Sequence, residues 1–300
     1  MATELRFSRL RWMARSAAHY RVAEELASKE TPARRLGTAT HALALGGEIL
    51  VYDGERKGNA WKAFEGLVRG EDFLVFDGAH SGKMWKAAKE EAAGRLIVTS
   101  ADVELASEAR ARMAQALGEG RRPLVIVTSE ERERAARCAD AVRCHPIASS
   151  YLGGEHEVEL RWRYLERDCG GRVDILHGNR VAELKTSTLA APGWLTQQAL
   201  RLHYIPQLVW YGEGARANGY PIDDYVLIGV EVEVPHPVTV MRLSQRAREF
   251  GEKQLRLWME RLAVCESSGE FPEYTQTVET LDVPEDDFAL RWGDEEDEAA

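Results

Sequence analysis

The stretch GGRVDILHGNRVAELKTST, residues 170–188, holds Asp174, Glu183 and Lys185 within a dozen positions, each inside sequence otherwise suited to burial. An unpaired charge is costly in such surroundings, so the three must be compensated by one another or by a ligand. RVDIL and RVAELK read as short strands around the turn His177-Gly178-Asn179. Period-two alternation puts Glu183 and Lys185 on one face and Leu184 on the other, and the turn brings Asp174 alongside at the sheet edge. Two carboxylates there offer hard oxygen ligands to Mg²⁺ or Mn²⁺. A neighbouring ammonium can orient or deprotonate an attacking water and stabilise charge on a phosphate in transfer. The alternative is a cross-strand ion pair, a common arrangement that contributes little.

The elements that must hold these groups follow from residue 155 onward. EVELRWRYL alternates like a half-exposed strand, and WLTQQALRLHYIPQLVWYGEGARANG reads as one helix ended by glycine. YVLIGVEVEV and HPVTVMRL read as strands, and a long amphipathic helix capped by Ser244 closes the series. This order predicts an α/β fold with a mixed sheet. Upstream, FSRLRWMARSAAHYRVAEELASKE spaces Leu10, Met13, Ala17, Tyr20 and Ala23 as one helix, interrupted by Thr31-Pro32. RLGTATHALALGGE then predicts a short helix with Ala39, Ala42, Leu43 and Leu45 inward and Gly46-Gly47 as its stop.

Between these blocks lies an internal near-repeat. VYDGERKGNAWKA (51–63) returns as VFDGAHSGKMWKA (75–87), and LIVTSADVELASEARARM (96–113) as VIVTSEERERAARCADAV (125–142). Each copy predicts a β element followed by a helix, a partial duplication rather than a solenoid. GAHSGKM is not a phosphate loop: Gly78 and Gly82 are separated by three residues instead of four, and Met84 stands where Ser or Thr must reach a metal. A turn leading into a helix with Trp85 is the reading that remains.

The chain of 300 residues is 44% apolar and 29% charged, ordinary for a globular protein. It shows no signal-peptide core and no apolar run long enough to cross a membrane, which predicts a cytoplasmic protein. Cys138, Cys144, Cys169 and Cys265 form no C-x-x-C pair, so a zinc knuckle or an iron–sulfur cluster is not indicated. The net charge of −10 argues at first against a polyanionic partner, but residues 284–300 carry −7 of it and the other 283 residues only −3. Residues 1–36 hold eight bases, among them Arg9, Arg11, Arg15, Arg34 and Arg35, against four acids. The amino end is basic, and the tail reads as a disordered acidic brush.

Taken together, RVDIL, VAELKTST, YIPQLVWY and GTATHALAL resemble the PD-(D/E)XK nuclease superfamily, and within it the RecE-type (exodeoxyribonuclease VIII-like) phage and prophage exonucleases. The opening FSRLRWMARSAAHYR and the strand EVELRW resemble the same group, and Val173-Asp174 replaces its usual Pro-Asp. The resemblance implies a restriction-endonuclease-like mixed sheet flanked by helices, here with a partly duplicated βα insertion. It divides the chain into N-terminal helices joining the nuclease core (1–47), a peripheral repeat region (48–145), the PD-(D/E)XK core (146–283) and the acidic tail (284–300).

By the same resemblance His41, Asp174, Glu183 and the Leu184 carbonyl bind Mg²⁺ (Mn²⁺ an alternative), and Asp174, Glu183 and Lys185 are catalytic, Lys185 positioning the water. Gln207 and Tyr211, four apart on one helix face, would contact DNA or buttress Lys185. Arg172 would grip a phosphate, or pair with Glu183 when substrate is absent. Glu157 stays open between an accessory acid and, with Glu155 and Glu159, a solvated strand face. The implied activity is a Mg²⁺-dependent deoxyribonuclease degrading linear duplex DNA 5′→3′ from its ends in phage-type recombination. A single-strand annealing protein and a homo-oligomer are the implied partners. The alternatives are a structure-specific endonuclease and a non-catalytic, nuclease-like DNA-binding protein.

Overall fold

A computed structural model of the chain describes residues 4–23, 31–47, 49–118, 125–275 and 277–280. The acidic tail, residues 284–300, lies outside the described residues. The main sheet has six strands: β1 (Leu5–Arg6), β6 (Glu155–Tyr164), β7 (Arg167–His177), β8 (Arg180–Ser187), β9 (Asp224–Glu231) and β10 (Val238–Arg242). The order runs β6-β7-β8-β9-β10. β6, β7 and β8 are antiparallel neighbours, β8 and β9 are parallel, and β10 returns antiparallel. The predicted α/β fold with a mixed sheet is therefore the observed one.

The tight turn at Gly178, with φ +61°, joins β7 to β8 where the alternation places it. Antiparallel pairing between them covers only Ile175–His177 against Arg180–Ala182. Farther along the same edge of β7, the two-residue β1 pairs parallel with Cys169 and Gly170. Two strands thus share one edge of β7, and the segment between them, which includes Asp174, has no ladder partner on that side. A gap is left in the sheet.

Helices cover both faces. One face carries α1 (Phe7–Leu10), a 3₁₀ turn (Arg11–Ala14), α2 (Ala17–Arg21), α9 (Pro192–Arg201), α10 (Tyr204–Ala217) and α11 (Gln245–Ser268). Their core includes Leu10, Met13, Trp210, Tyr225 and Trp258. The other face carries α3 (Pro32–Ala44), α7 (Ser129–Cys144) and the short α8 (Ala148–Tyr151), with Ala44, Cys138, Val142, Ile175, Leu184 and Ile228 in its core.

Two expected single helices are broken. The N-terminal one stops before Ser16, whose side chain caps α2 by accepting from the His19 amide. The 194–219 helix divides at His203, which adopts φ +62°. Pro206 explains the division, since its ring would clash with the carbonyl of Leu202 and it has no N–H to offer.

Residues 49–144 build a nested stack. Its elements are β2 (Ile49–Val51), α4 (Gly58–Arg69), β3 (Phe73–Val75), α5 (Gly82–Ala92), β4 (Leu96–Val98), α6 (Ser100–Gly118), β5 (Val125–Val127) and then α7. β2 pairs parallel with β5, and β3 with β4, so the second copy is inserted inside the first. Both copies carry the same lock. Asp53 accepts from the amide and hydroxyl of Ser129 (2.6 Å each), and Asp77 accepts from those of Ser100 (2.7 and 2.6 Å). These bonds hold both carboxyls below their ordinary pKa. Leu36 and Ala39 of α3 pack with Ile49, Val125 and Val127, tying the stack to the helix that bears His41.

Candidate active site

Asp174 stands at the gap, 2% exposed. Val173 buries into one core cluster and Ile175, two residues on, into the cluster of the opposite face, so the strand switches faces at Asp174. Where β8 has left β7, the Leu184 amide has lost its cross-strand acceptor. Asp174 Oδ2 accepts that N–H at 3.0 Å. A residue's N–H and C=O leave a strand on the same side, so the Leu184 carbonyl points toward the gap too.

Glu157 lies opposite Asp174 in the β6–β7 register, between the pairs His156–Ile175 and Val158–Val173. It drops out of the ladder because its φ is +55°, a conformation costing an L-residue about 1–2 kcal/mol. From the other face α3 delivers His41, whose Nδ1 lies 3.3 Å from Asp174 Oδ2. Gly37, one turn earlier, permits the approach: a Cβ there would stand 3.1 Å from Thr186 Oγ1 on β8. Donor atoms of His41, Glu157 and Asp174 all fall within 4.8 Å of one another. The structure thus puts Glu157 at the cluster, a choice that alternation left open because it could not reveal a left-handed residue inside a strand.

Glu183 and Lys185 share a face, with Leu184 buried on the other. Lys185 Nζ donates to Glu183 Oε1 at 2.5 Å and stands 5.0 Å from the centre of the Tyr204 ring. Gln207 Nε2 donates to the same Glu183 oxygen at 2.8 Å and lies 3.0 Å from the Tyr211 hydroxyl oxygen. Gly171 gives Tyr211 room, since a Cβ there would come within 2.9 Å of the ring. Tyr204, Gln207 and Tyr211 form an i, i+3, i+7 stripe on α10. Tyr204 was absent from the motif-based set, although helical spacing from Gln207 and Tyr211 marks it.

Arg172 is the exception. Its Nε donates to Glu159 Oε2 at 2.9 Å, not to Glu183, and Arg6 also pairs with Glu159. The cause is register: Arg172 and Glu159 are directly opposed on β7 and β6.

The site's electrostatics are those of carboxylates confined together. Burial, and then the Asp174 carboxylate, push the Glu183 carboxyl up to about 7. Burial alone would lower the Lys185 ammonium, but Glu183 and Asp174 outweigh it and its pKa rises. Burial would likewise depress His41, yet the adjacent Asp174 carboxylate leaves it raised. Glu183 Oε2 is buried without a hydrogen bond, whereas His41 Nδ1 faces Asp174 Oδ2. A buried lone pair left unsatisfied beside clustered carboxylates is what a divalent cation would compensate, and the donor atoms of His41, Glu157 and Asp174 lie close enough together to share such an ion.

A family model described as "PDDEXK-like domain of unknown function (DUF3799)" matches residues 7–284. The chain belongs to this family. This PDDEXK-like domain thus has the PD-(D/E)XK superfamily's restriction-endonuclease-like core. It is similar to the crystal structure of a "Putative exonuclease" from Eubacterium rectale at 10% sequence identity, over 97% of this chain and 93% of that chain, with a TM-score of 0.49. No curated protein matches it. Among the described residues of the PDDEXK-like domain no helix is long and apolar enough to cross a membrane.

Proposed function

We propose that the chain is a divalent-metal-dependent deoxyribonuclease that hydrolyses phosphodiester bonds of linear duplex DNA from its ends. The observation that carries the reading is the meeting, at one gap in the sheet, of His41, Asp174 and Glu157 with the Glu183–Lys185 pair. His41, Asp174 and Glu183, with Glu157 and the Leu184 carbonyl, would hold the cation. A cation held there supplies Lewis acidity toward the scissile phosphate and neutralises charge on its oxygens.

The chain's own groups do the rest. Lys185 stays protonated at neutral pH, because Glu183 and Asp174 raise its pKa, so it orients a water and faces developing negative charge instead of acting as a base. Gln207 fixes the Glu183 oxygen that grips Lys185, and Tyr211 stands behind Gln207. These two therefore position the catalytic pair, the buttressing alternative of their two expected roles. Arg172 in this reading must exchange Glu159 for a phosphate before it can touch DNA. The 5′→3′ polarity, the role in phage-type recombination and the pairing with an annealing protein rest on the RecE-type resemblance alone.

The test is nucleotide release from linear and from closed circular duplex in Mg²⁺, Mn²⁺ and EDTA. Shortening of linear DNA with either cation, intact circles and no reaction in EDTA are expected. Circles cut as readily as ends would make the protein an endonuclease. Lys185→Ala should lower the rate by about 10²–10³-fold while melting near the wild-type temperature. Full activity in that folded variant would remove Lys185 from the chemistry.

A further inference from the structure

In the β6–β7 ladder, the rung two residues from Glu157 and Asp174 is Glu159 opposite Arg172. Leu160 and Val173 turn into the core beneath α10, which leaves Glu159 and Arg172 on the sheet face that carries α3. Leu5 of β1 turns the same way as Val173, so Arg6, paired in register with Gly170, joins them on that face. The three side chains meet at one carboxylate. Arg6 Nη2 donates to Glu159 Oε1, and Arg172 Nε donates to Glu159 Oε2 at 2.9 Å. Two residues along a strand span roughly 7 Å, so this meeting point is the immediate neighbour of the Asp174 position.

The pattern extends one step farther from the gap. Arg6 Nη2 also pairs with Glu4 Oε1 at 2.9 Å, and Arg161 Nε pairs with Glu4 Oε2 at 3.1 Å. Glu4 reaches Arg161 by crossing Gly170, where a Cβ would collide with its carboxylate. Three guanidinium groups thus share two carboxylates, a local excess of positive charge in a chain of net −10. A cross-strand ion pair needs only one arginine. Here a single carboxylate is gripped by two, one from β1 and one from β7, with one oxygen for each. A phosphodiester presents its two unesterified oxygens to a pair of guanidinium groups in the same way.

Building on the proposed nuclease reading, we propose that Arg6 and Arg172 form a seat for a phosphodiester next to the scissile one, and that Glu159 occupies this seat until DNA displaces it. Glu159 is then an internal stand-in for a phosphate. In the free protein it keeps two flexible arginines aimed at one point. When a strand arrives, one set of ion pairs is exchanged for another, so the strand is held less tightly than two uncompensated arginines would hold it and can move on after each cut.

Binding of labelled linear duplex in EDTA, where cleavage cannot intervene, tests this across a range of salt. Glu159→Gln should tighten binding about tenfold at low salt and steepen the dependence of log affinity on log salt by about one, because both guanidinium groups then wait uncompensated. Arg6→Gln should weaken binding, and adding it to Glu159→Gln should remove most of the gain. Glu155→Gln takes a carboxylate that accepts from Tyr220 off the same strand, and so controls for the general effect of lost negative charge. It should change affinity by less than about twofold. No gain from Glu159→Gln in a protein that melts like wild type is the result if these ion pairs only strap β1 onto β7, and it would overturn the inference. A gain matched by Glu155→Gln, or one that survives Arg6→Gln in full, would do the same. Should Glu159→Gln fail to fold, Arg6→Gln decides, since unchanged affinity and slope in that variant rule the seat out. The nuclease reading survives each of these failures as long as wild-type protein cuts linear DNA; wild-type protein that neither binds nor cuts it would overturn that reading instead.

Discussion

At Glu183 two requirements oppose each other: the carboxylate must be ionised to serve a cation, and burial beside Asp174 resists ionisation. Its folded pKa of about 7 lies above the ordinary value of 4.5. A carboxyl raised by folding contributes stability in full below the unfolded value and loses it as pH climbs through the folded one. In EDTA, wild-type protein should therefore lose on the order of 3 kcal/mol relative to Glu183→Gln between about pH 4.5 and pH 8. His41, raised as well, shares the sign and remains in both proteins. Urea unfolding at several pH values reads the difference, and a difference that stays flat across the window would refute the buried Glu183–Asp174 juxtaposition. At this scale the sequence was most legible. Asp174, Glu183 and Lys185 announce themselves as charges in strand-like surroundings, whereas Glu157 hides among Glu155 and Glu159, and only backbone geometry separates it from them.

At the scale of elements, the gap depends on backbone choices that side-chain patterns do not carry. Strands β6 to β10 follow from alternation, but β1 is two residues long and no periodicity can reveal it. The face switch at Asp174 likewise arises from tertiary pairing, since β7 divides one edge between β8 and β1. Pro206 did mark the break before α10, but a continuous amphipathic pattern across Leu202-His203 concealed it. Glu157 offers the sharpest test of an element bent to a purpose. Glu157→Gly removes the left-handed strain and should stabilise the cation-free protein by about 1 kcal/mol while weakening divalent-cation affinity roughly tenfold. Calorimetry with Mn²⁺ and thermal melting measure the two effects, and cation affinity equal to wild type would take Glu157 out of the ligand set.

For the whole molecule, the basic N-terminal elements lie against residues 271–274, which precede the acidic stretch in sequence. Phe271 stacks on Tyr20, the Ala18 amide donates to the Pro272 carbonyl, and Arg15 Nε donates to the Tyr274 hydroxyl at 2.9 Å. The chain thus runs along the basic N-terminal elements shortly before residues 284–300, which carry a net −7. We propose that this acidic stretch competes with DNA for the basic N-terminal elements. Truncation after residue 283 should tighten nonspecific duplex binding at low salt and make little difference at about 0.5 M, where screening shortens the reach of charge. Equal affinity at low salt would retire the proposal.

The repeat region was legible as two copies, but its nesting was not, because a parallel pairing of the outermost with the outermost leaves no local trace. That nesting has an evolutionary corollary. Because β2 and β5 are neighbours, the chain departs from and rejoins the catalytic body at a single doorway, whatever length lies between. Descendants could gain or shed an inner layer as a hallway gains a room, with the lintel formed by α3 and its imidazole left undisturbed.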